Sequence, residues 1–428
     1  MFISLKNRSQ ICSNRYPALR KLWIRGTFLF VNFFLITMAL YNLKPANKSL
    51  FIDILGADSL PYAWIGTALI MMFFIPVYHK LVARTSRFHI VLGTCFSASV
   101  ILVIFQIMLK DSGTLTAILF YIFVDIIGVV LVEQFWSLTN TIYNTADGKK
   151  WYGIVGTGGP IGGIAGGWTS ALLIRHTWLQ THDLLLTASG IIMLIFFLTW
   201  IMGYLGIYCE ADMPDISGDS EDGWRFLGKS RYLILITAIL LLSQLAASLI
   251  DYQFLKTLEI QYSDRETRTA FLSMIFGVMG MVSVLVNIFI TPLIHRNLGV
   301  IAGMFVQPFI TAVFAFSFLA QPGIFSATAV KISDRGLFNS INRASKELLY
   351  VPVNPVLIYQ AKAWIDMFGF RMFKVLGSLL ILFFTQWLPF TISVRQLSWF
   401  TIGFCLIWIG LIIILRTDYR LICKKYFA

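Results

Sequence analysis

Lys331-Ile-Ser-Asp-Arg-Gly-Leu-Phe-Asn-Ser-Ile-Asn-Arg-Ala-Ser-Lys-Glu347 gathers charge where the flanking chain is apolar. A helix turns about 100° per residue, so Lys331, Arg335, Asn339, Asn342, Arg343 and Lys346 fall within a stripe roughly 120° wide. Leu337, Phe338, Ile341 and Leu348 take the opposite side, and Glu347 ends the stretch. Such a stripe can hold an anion: a guanidinium offers a forked grip on phosphate, and an ammonium offers a point charge.

Other ionisable residues stand in similarly apolar surroundings. Asp125 precedes the run Glu133-Gln-Phe-Trp-Ser-Leu-Thr-Asn140, in which Glu133 is expected to be buried. Glu133 is either a counter-ion for a neighbouring basic residue or a group that binds substrate or carries a proton, since burial raises a carboxyl pKa. Asp251-Tyr-Gln-Phe-Leu-Lys256 carries both signs of charge, and Tyr41-Asn-Leu-Lys44-Pro45 is expected to close the first span. Lys44 and Lys256 suit either interfacial anchors or the mouth of an anion path, whereas a carboxylate such as Asp251 gains nothing from snorkelling.

The elements that must position these residues follow from composition. The 428 residues are 57% hydrophobic and only 13% charged, against about 25% charged in a soluble domain. Mean hydropathy is +0.77. Apolar segments long enough to cross a bilayer fall at about 24–43, 61–79, 89–109, 116–142, 152–174 and 184–208. A second group falls at about 232–255, 270–294, 298–319, 324–350, 372–389 and 397–415. The expected fold is an all-α polytopic membrane protein with twelve transmembrane helices in two pseudo-symmetric halves of six. The halves are 1–208 and 232–428, joined by an acidic linker at 209–231 that reads as a plain solvated connector or a regulatory one.

With the amino terminus inside, most of the 34 Lys and Arg lie on the cytoplasmic side. This favours a genuine crossing at 324–350, because dropping it would set the following loop and the carboxy-terminal basic residues on disagreeing sides. If every charge of that segment faced lipid, the cost would be on the order of 15 kcal/mol, so its stripe is expected to line a cavity. The basic first 25 residues read as a cytoplasmic lead-in to an uncleaved first span, and twelve spans then place both termini in the cytoplasm; a cell inner membrane is the expected location.

Gly156-Thr-Gly-Gly-Pro-Ile-Gly-Gly-Ile-Ala-Gly-Gly167 is neither a P-loop nor a dinucleotide fingerprint. Gly158, Gly162 and Gly166 form one small-residue ridge and Gly159, Gly163 and Gly167 another, which suits close helix packing, with Pro160 able to add a kink. It also resembles the fifth-span Gly-Pro motif of major facilitator antiporters, one residue shorter between the Pro and the paired Gly. The five Cys lack CxxC spacing and the five His lie near span ends, so no metal site, cofactor or enzymatic constellation is called for. The net charge of +13 belongs to membrane topology and not to a nucleic-acid partner.

Tyr41-Asn-Leu-Lys44, Glu133-Gln-Phe-Trp136 with Asn140, Asp251-Tyr-Gln-Phe254, Lys346-Glu-Leu-Leu-Tyr-Val-Pro352, Ala361-Lys362 and Ile365-Asp366 together resemble the nucleotide transporter family. That family comprises the ATP/ADP translocases of obligate intracellular bacteria and plastids with their shorter bacterial relatives, within the major facilitator superfamily. The resemblance implies nucleotide exchange by alternating access. It points to Lys44, to Asp125 or Glu133, to Asp251, and to Lys346 or Lys362 as residues serving transport. The family's nucleotide carriers have Glu where Asp251 stands, and their acidic residue on span four aligns only approximately with Asp125. The alternative within transport is a proton-coupled carrier of another small anionic metabolite; a membrane-embedded enzyme is the remote one. The expected partners are a small anionic solute and the lipid bilayer, with the chain acting as a monomer.

Overall fold

The computed structural model describes residues 22–111, 113–143, 145–205, 231–352, 365, 369–389 and 392–427. Six long helices precede residue 206: α1 Leu22–Leu55, α2 Leu60–Arg84, α3 Arg87–Met108, α4 Thr114–Ile142, α5 Thr145–His176 and α6 Leu184–Tyr204. Six follow residue 230: α7 Arg231–Gln261, α8 Arg265–Asn297, α9 Val300–Ala320, then α10, α11 Phe370–Trp387 and α12 Ser398–Phe427. The tenth, α10, runs through Ile324–Leu337, a π turn at Phe338–Asn342 and Arg343–Tyr350 without interruption. Among the described residues ten helices are long and apolar enough to cross a membrane. The other two, α5 diluted by glycine and α10 loaded with charge, are helical where the sequence requires spans. The chain is an all-α polytopic membrane protein.

The first helix corrects one expectation. It does not close at Lys44-Pro45 but continues to Leu55, with Pro45 inside it. Pro removes one backbone donor, and a membrane helix tolerates this where neighbouring groups satisfy the freed carbonyl. The acidic linker lies almost wholly outside the described residues.

Two compact units divide the described residues. One takes those within Met1–Ile54, Phe73–Ser217 and Asp264–Gly280; the other takes those within Leu55–Met72, Gly218–Ser263 and Met281–Ala428. In the first, Leu29, Phe33, Leu40, Phe120, Phe135 and Ile192 belong to one buried cluster. In the second, Tyr232, Ile236, Met304, Leu349, Trp408 and Ile412 belong to another. Between spans in a bilayer, such clusters cohere through close packing and interhelical hydrogen bonds, because lipid is as apolar as the side chains it would replace.

Within the first unit the glycines of α5 let two backbones meet. A Cβ on Gly158 would stand 2.6 Å from the Phe30 carbonyl oxygen, and one on Gly166 2.5 Å from that of Met38. Gly162 is crowded in the same way by Phe34, while Gly159 and Gly163 face the rings of Phe33 and Tyr41. Gly167 meets the backbone of α8 at Ser273 and Gly277. Asp264 caps α8 by accepting hydrogen bonds from the Thr267 backbone N–H at 2.7 Å and hydroxyl at 2.6 Å, which hold its carboxyl below the usual range. Gly299 at φ +87° closes α8, its N–H donating to the Ile294 carbonyl at 3.1 Å.

Overpacking a closed helix contact costs about 1–3 kcal/mol. Gly166→Ala should therefore lower the thermal midpoint in detergent, while Gly156→Ala, whose nearest neighbour would be Trp136 at 3.9 Å, should leave it unchanged.

Candidate functional site

The second unit contains a polar ladder built on α7, α9 and α10. Lys331 and Arg335 are four residues apart on α10, so they share a face. Asp251 on α7 stands opposite: its Oδ1 pairs with Lys331 Nζ, and its Oδ2 accepts from Arg335 Nη2 at 3.4 Å. The Lys331 side chain is 4% exposed, Asp251 13% and Arg335 25%, so the cluster is most open at Arg335. Arg335 Nε also lies 3.6 Å from Asp334 Oδ2, and its guanidinium carbon 6.0 Å from the Phe338 ring centre. Asp334, buried at 2%, accepts from Gln307 Nε2 on α9, and Gln307 Oε1 accepts from Asn342 Nδ2 at 2.6 Å.

Two cations and two carboxylates thus form a balanced set. Its four charges sit on apolar helices of the second unit, where each unpaired one at bilayer depth would cost about 2.5–3.5 kcal/mol. Balance removes most of that cost, and the partial opening at Arg335 leaves one cation able to change partners. Chemically, the cluster can exchange an internal carboxylate for an external anionic oxygen at a guanidinium.

The predicted stripe on α10 is divided by the structure. Asn339, Arg343 and Glu347 are exposed and Lys346 is half-buried, whereas Asn342 is buried against Gln307. Leu348, expected on the apolar side, is 39% exposed. The cause is the π turn at Phe338–Asn342: a wider turn holds more residues, so everything after it lags the α-helical register.

Among the other predicted residues, Lys256 on α7 belongs to a separate cluster. Its Nζ lies 2.8 Å from Asp58 and 2.7 Å from Glu259, and Asp58 also accepts from the Tyr252 hydroxyl at 2.8 Å. In the first unit, Lys44 Nζ stands 5.0 Å over the Tyr41 ring centre. Asn140 accepts from the Tyr152 hydroxyl at 2.9 Å. Asp125 is half-buried and Glu133 exposed, and among the described residues neither makes an ion pair. Glu133 was expected to be buried; depth along a span does not decide which way a side chain faces. Its neighbours do the packing: Gln134 donates to Thr94 at 2.8 Å, and Phe135 stacks on Phe33 with centres 4.5 Å apart. Lys362 lies outside the described residues.

Sequence reading placed Lys331 on the stripe without a partner for it, and did not single out Gln307 and Asp334 as site residues. For Gln307 the only available signal was a lone amide beside Pro308 in an otherwise apolar span. It also missed a polar network at the start of α8. There Arg265 and buried Arg268 each lie 3.6 Å from Asp53, and Glu266 accepts from the Thr181 N–H and hydroxyl, both at 2.6 Å. Among the described residues no three His, Cys, Asp or Glu are grouped to hold a metal.

The fold is that of the major facilitator type of transporter. A crystal structure of a bacterial homologue of the iron transporter ferroportin superposes with TM-score 0.66 at 13% identity, over 92% of this chain and 99% of that one. One of the nucleoside transporter NupG gives 0.65 at 12% identity, over 90% and 99%. The family model described as TLC ATP/ADP transporter matches residues 218–419, which include Asp251, Gln307 and the whole of α10. The chain is 22% identical over 308 residues to ADP,ATP carrier protein 1 of Chlamydia pneumoniae, covering 61% of this chain and 59% of that protein. It is 22% identical over 307 residues to ADP,ATP carrier protein 1 of Chlamydia trachomatis, covering 62% and 58%. The chain spans less than two thirds of the length of these curated relatives. Family model and relatives agree with the resemblance carried by the sequence motifs.

Removing one member of a buried ion pair costs about 3–5 kcal/mol, because the other is left uncompensated. Lys331→Met and Asp251→Asn should each lower the unfolding midpoint, and the double variant should lose less than the two shifts added together. Thermal unfolding of all three in one detergent measures this.

Proposed function

We propose that the protein is a secondary transporter that exchanges nucleotides of the ATP/ADP type by alternating access. The carrying observation is the pairing of Lys331 and Arg335 with Asp251, two cations held by one exchangeable carboxylate. The similarity of residues 218–419 to the ATP/ADP transporter model supports the nucleotide as the anion. In this reading Asp251 neutralises the cations when the site is empty, and a substrate phosphate displaces it from Arg335. Exposed Asn339 and Arg343 and half-buried Lys346 extend the binding surface along α10. Lys44, Asp125, Glu133, Asn140 and Lys362 are assigned to the same transport path on motif alone. Lys256 is assigned to it with Asp58 and Glu259 as its resting partners.

The two halves, 1–208 and 232–428, rock about the site as a monomer in a cell inner membrane, with both termini cytoplasmic and 209–231 as the linker. No bond in the substrate is made or broken, so the activity is transport and not catalysis. A proton-coupled carrier of another small anion is the second reading, favoured by the buried carboxylate Asp334 beside Arg335.

Proteoliposomes loaded with unlabelled ADP should accumulate labelled ATP without a pH gradient. Uptake that needs a pH gradient supports the second reading, and no uptake of any nucleotide sinks the first. Arg335→Ala should reduce uptake at least tenfold while membrane-inserted protein falls less than twofold, the pattern of an interaction serving transport. Equal loss of both would make Arg335 structural.

A further inference from the structure

The transport reading uses Lys331, Arg335 and Asp251, and leaves unused a buried carboxylate and two buried amides. Gln307 is 0% exposed and Asn342 1%. A backbone carbonyl accepts hydrogen bonds and cannot donate, so Gln307 turns Nε2 toward Asp334. It donates to Oδ1 at 3.0 Å and to the Asp334 backbone carbonyl at 3.2 Å. Gln307 Oε1 is then left for Asn342, which must present its Nδ2. Donation therefore runs from Asn342 through Gln307 to Asp334, whose other oxygen forms an ion pair with Arg335 Nε at 3.6 Å.

The π turn makes the chain possible. Asp334 and Asn342 are eight residues apart, which in an unbroken α-helix would separate them by about 80° around the axis. The slower winding at Phe338–Asn342 brings Asn342 back over Asp334, so both reach one amide on α9. π turns recur at functional sites because they re-aim a side chain without ending the helix.

Arg335 is consequently held at two points. Nη2 meets Asp251, the carboxylate that substrate displaces, and Nε faces Asp334, which is fixed in place. A long cationic side chain released from its sole partner would spread over many rotamers before meeting an anion. One still tethered near Nε keeps Nη1 and Nη2 aimed.

We infer that Asp334, locked by Gln307 and Asn342, is the positioning residue for Arg335. It holds the guanidinium in place while Asp251 gives way to a phosphate. The inference rests on the transport reading and adds residues that do not themselves touch substrate.

Gln307→Met keeps the volume and removes both hydrogen-bonding ends. In ADP-loaded proteoliposomes taking up radiolabelled ADP, its apparent KM should rise about tenfold, with maximal rate per folded protein within about twofold of wild type. In an Arg335→Lys background the same change should add less than about twofold, because the group it positions is gone. Asn342→Leu, which removes the Nδ2 donor without adding a charge, should move KM in the same direction by a smaller factor and serves if Gln307→Met does not fold. Unchanged KM in both variants, or effects that multiply fully in the Arg335→Lys background, would overturn the inference. The same cycle read by thermal unfolding needs no substrate. Coupled midpoint shifts support the Asp334–Arg335 relay even if the wild type moves no ADP, an outcome that counts against the transport reading; purely additive shifts overturn the relay.

Discussion

An ionised side chain inside a bilayer must be solvated, paired or expelled, and Asp251 meets that demand for two cations at once. Without it, α10 would carry Lys331 and Arg335 into a hydrophobic environment with one carboxylate fewer to offset them. With it, a helix whose composition suits a protein surface can pack against the more apolar α7 and α9. The arrangement is also what makes the helix useful. A pair in which both partners were sealed would be inert, whereas Arg335 retains enough exposure to trade one oxygen ligand for another.

Much of this was legible in the chain. The helices and the polar character of the tenth follow from where charge interrupts apolar runs, whereas the pairing of Asp251 with Lys331 and Arg335 is seen only once α7 and α10 are side by side. Side-chain direction was less legible. Glu133 and Gln134 lie side by side at the same depth, yet one is exposed and the other bonds Thr94. A single sequence without neighbours cannot say which face of α4 meets α3. The end of α1 was misplaced for a related reason: Pro45 is a stop signal in water, where an unmet carbonyl is easily solvated, and a weaker one in a helix packed among others.

The π turn explains the largest divergence on α10. A stripe drawn at constant pitch is correct up to Phe338 and drifts afterwards, which is why Asn342 is interior and Leu348 is exposed. Nothing in Phe-Asn-Ser-Ile-Asn announces the turn by propensity. What holds it is tertiary: Asn342 to Gln307, a bond between residues 35 positions apart. Local geometry here is set by a distant partner, so it becomes visible only when α9 is in place.

Two different economies therefore operate in the two units. In the first, α5 lowers its side-chain volume until carbonyls of α1 touch its glycines, and cohesion comes from close backbone approach. In the second, α10 keeps its polar side chains and satisfies them in a ladder whose members each have a defined donor or acceptor role. The glycine contact tolerates no added atom, while the ladder tolerates a change of partner at Arg335, provided Asp334 stays fixed. Rigidity and exchangeability are thus separated by chemistry: apolar contact fixes the frame, and charge that is neutralised yet not sealed supplies the part that can respond to an incoming anion.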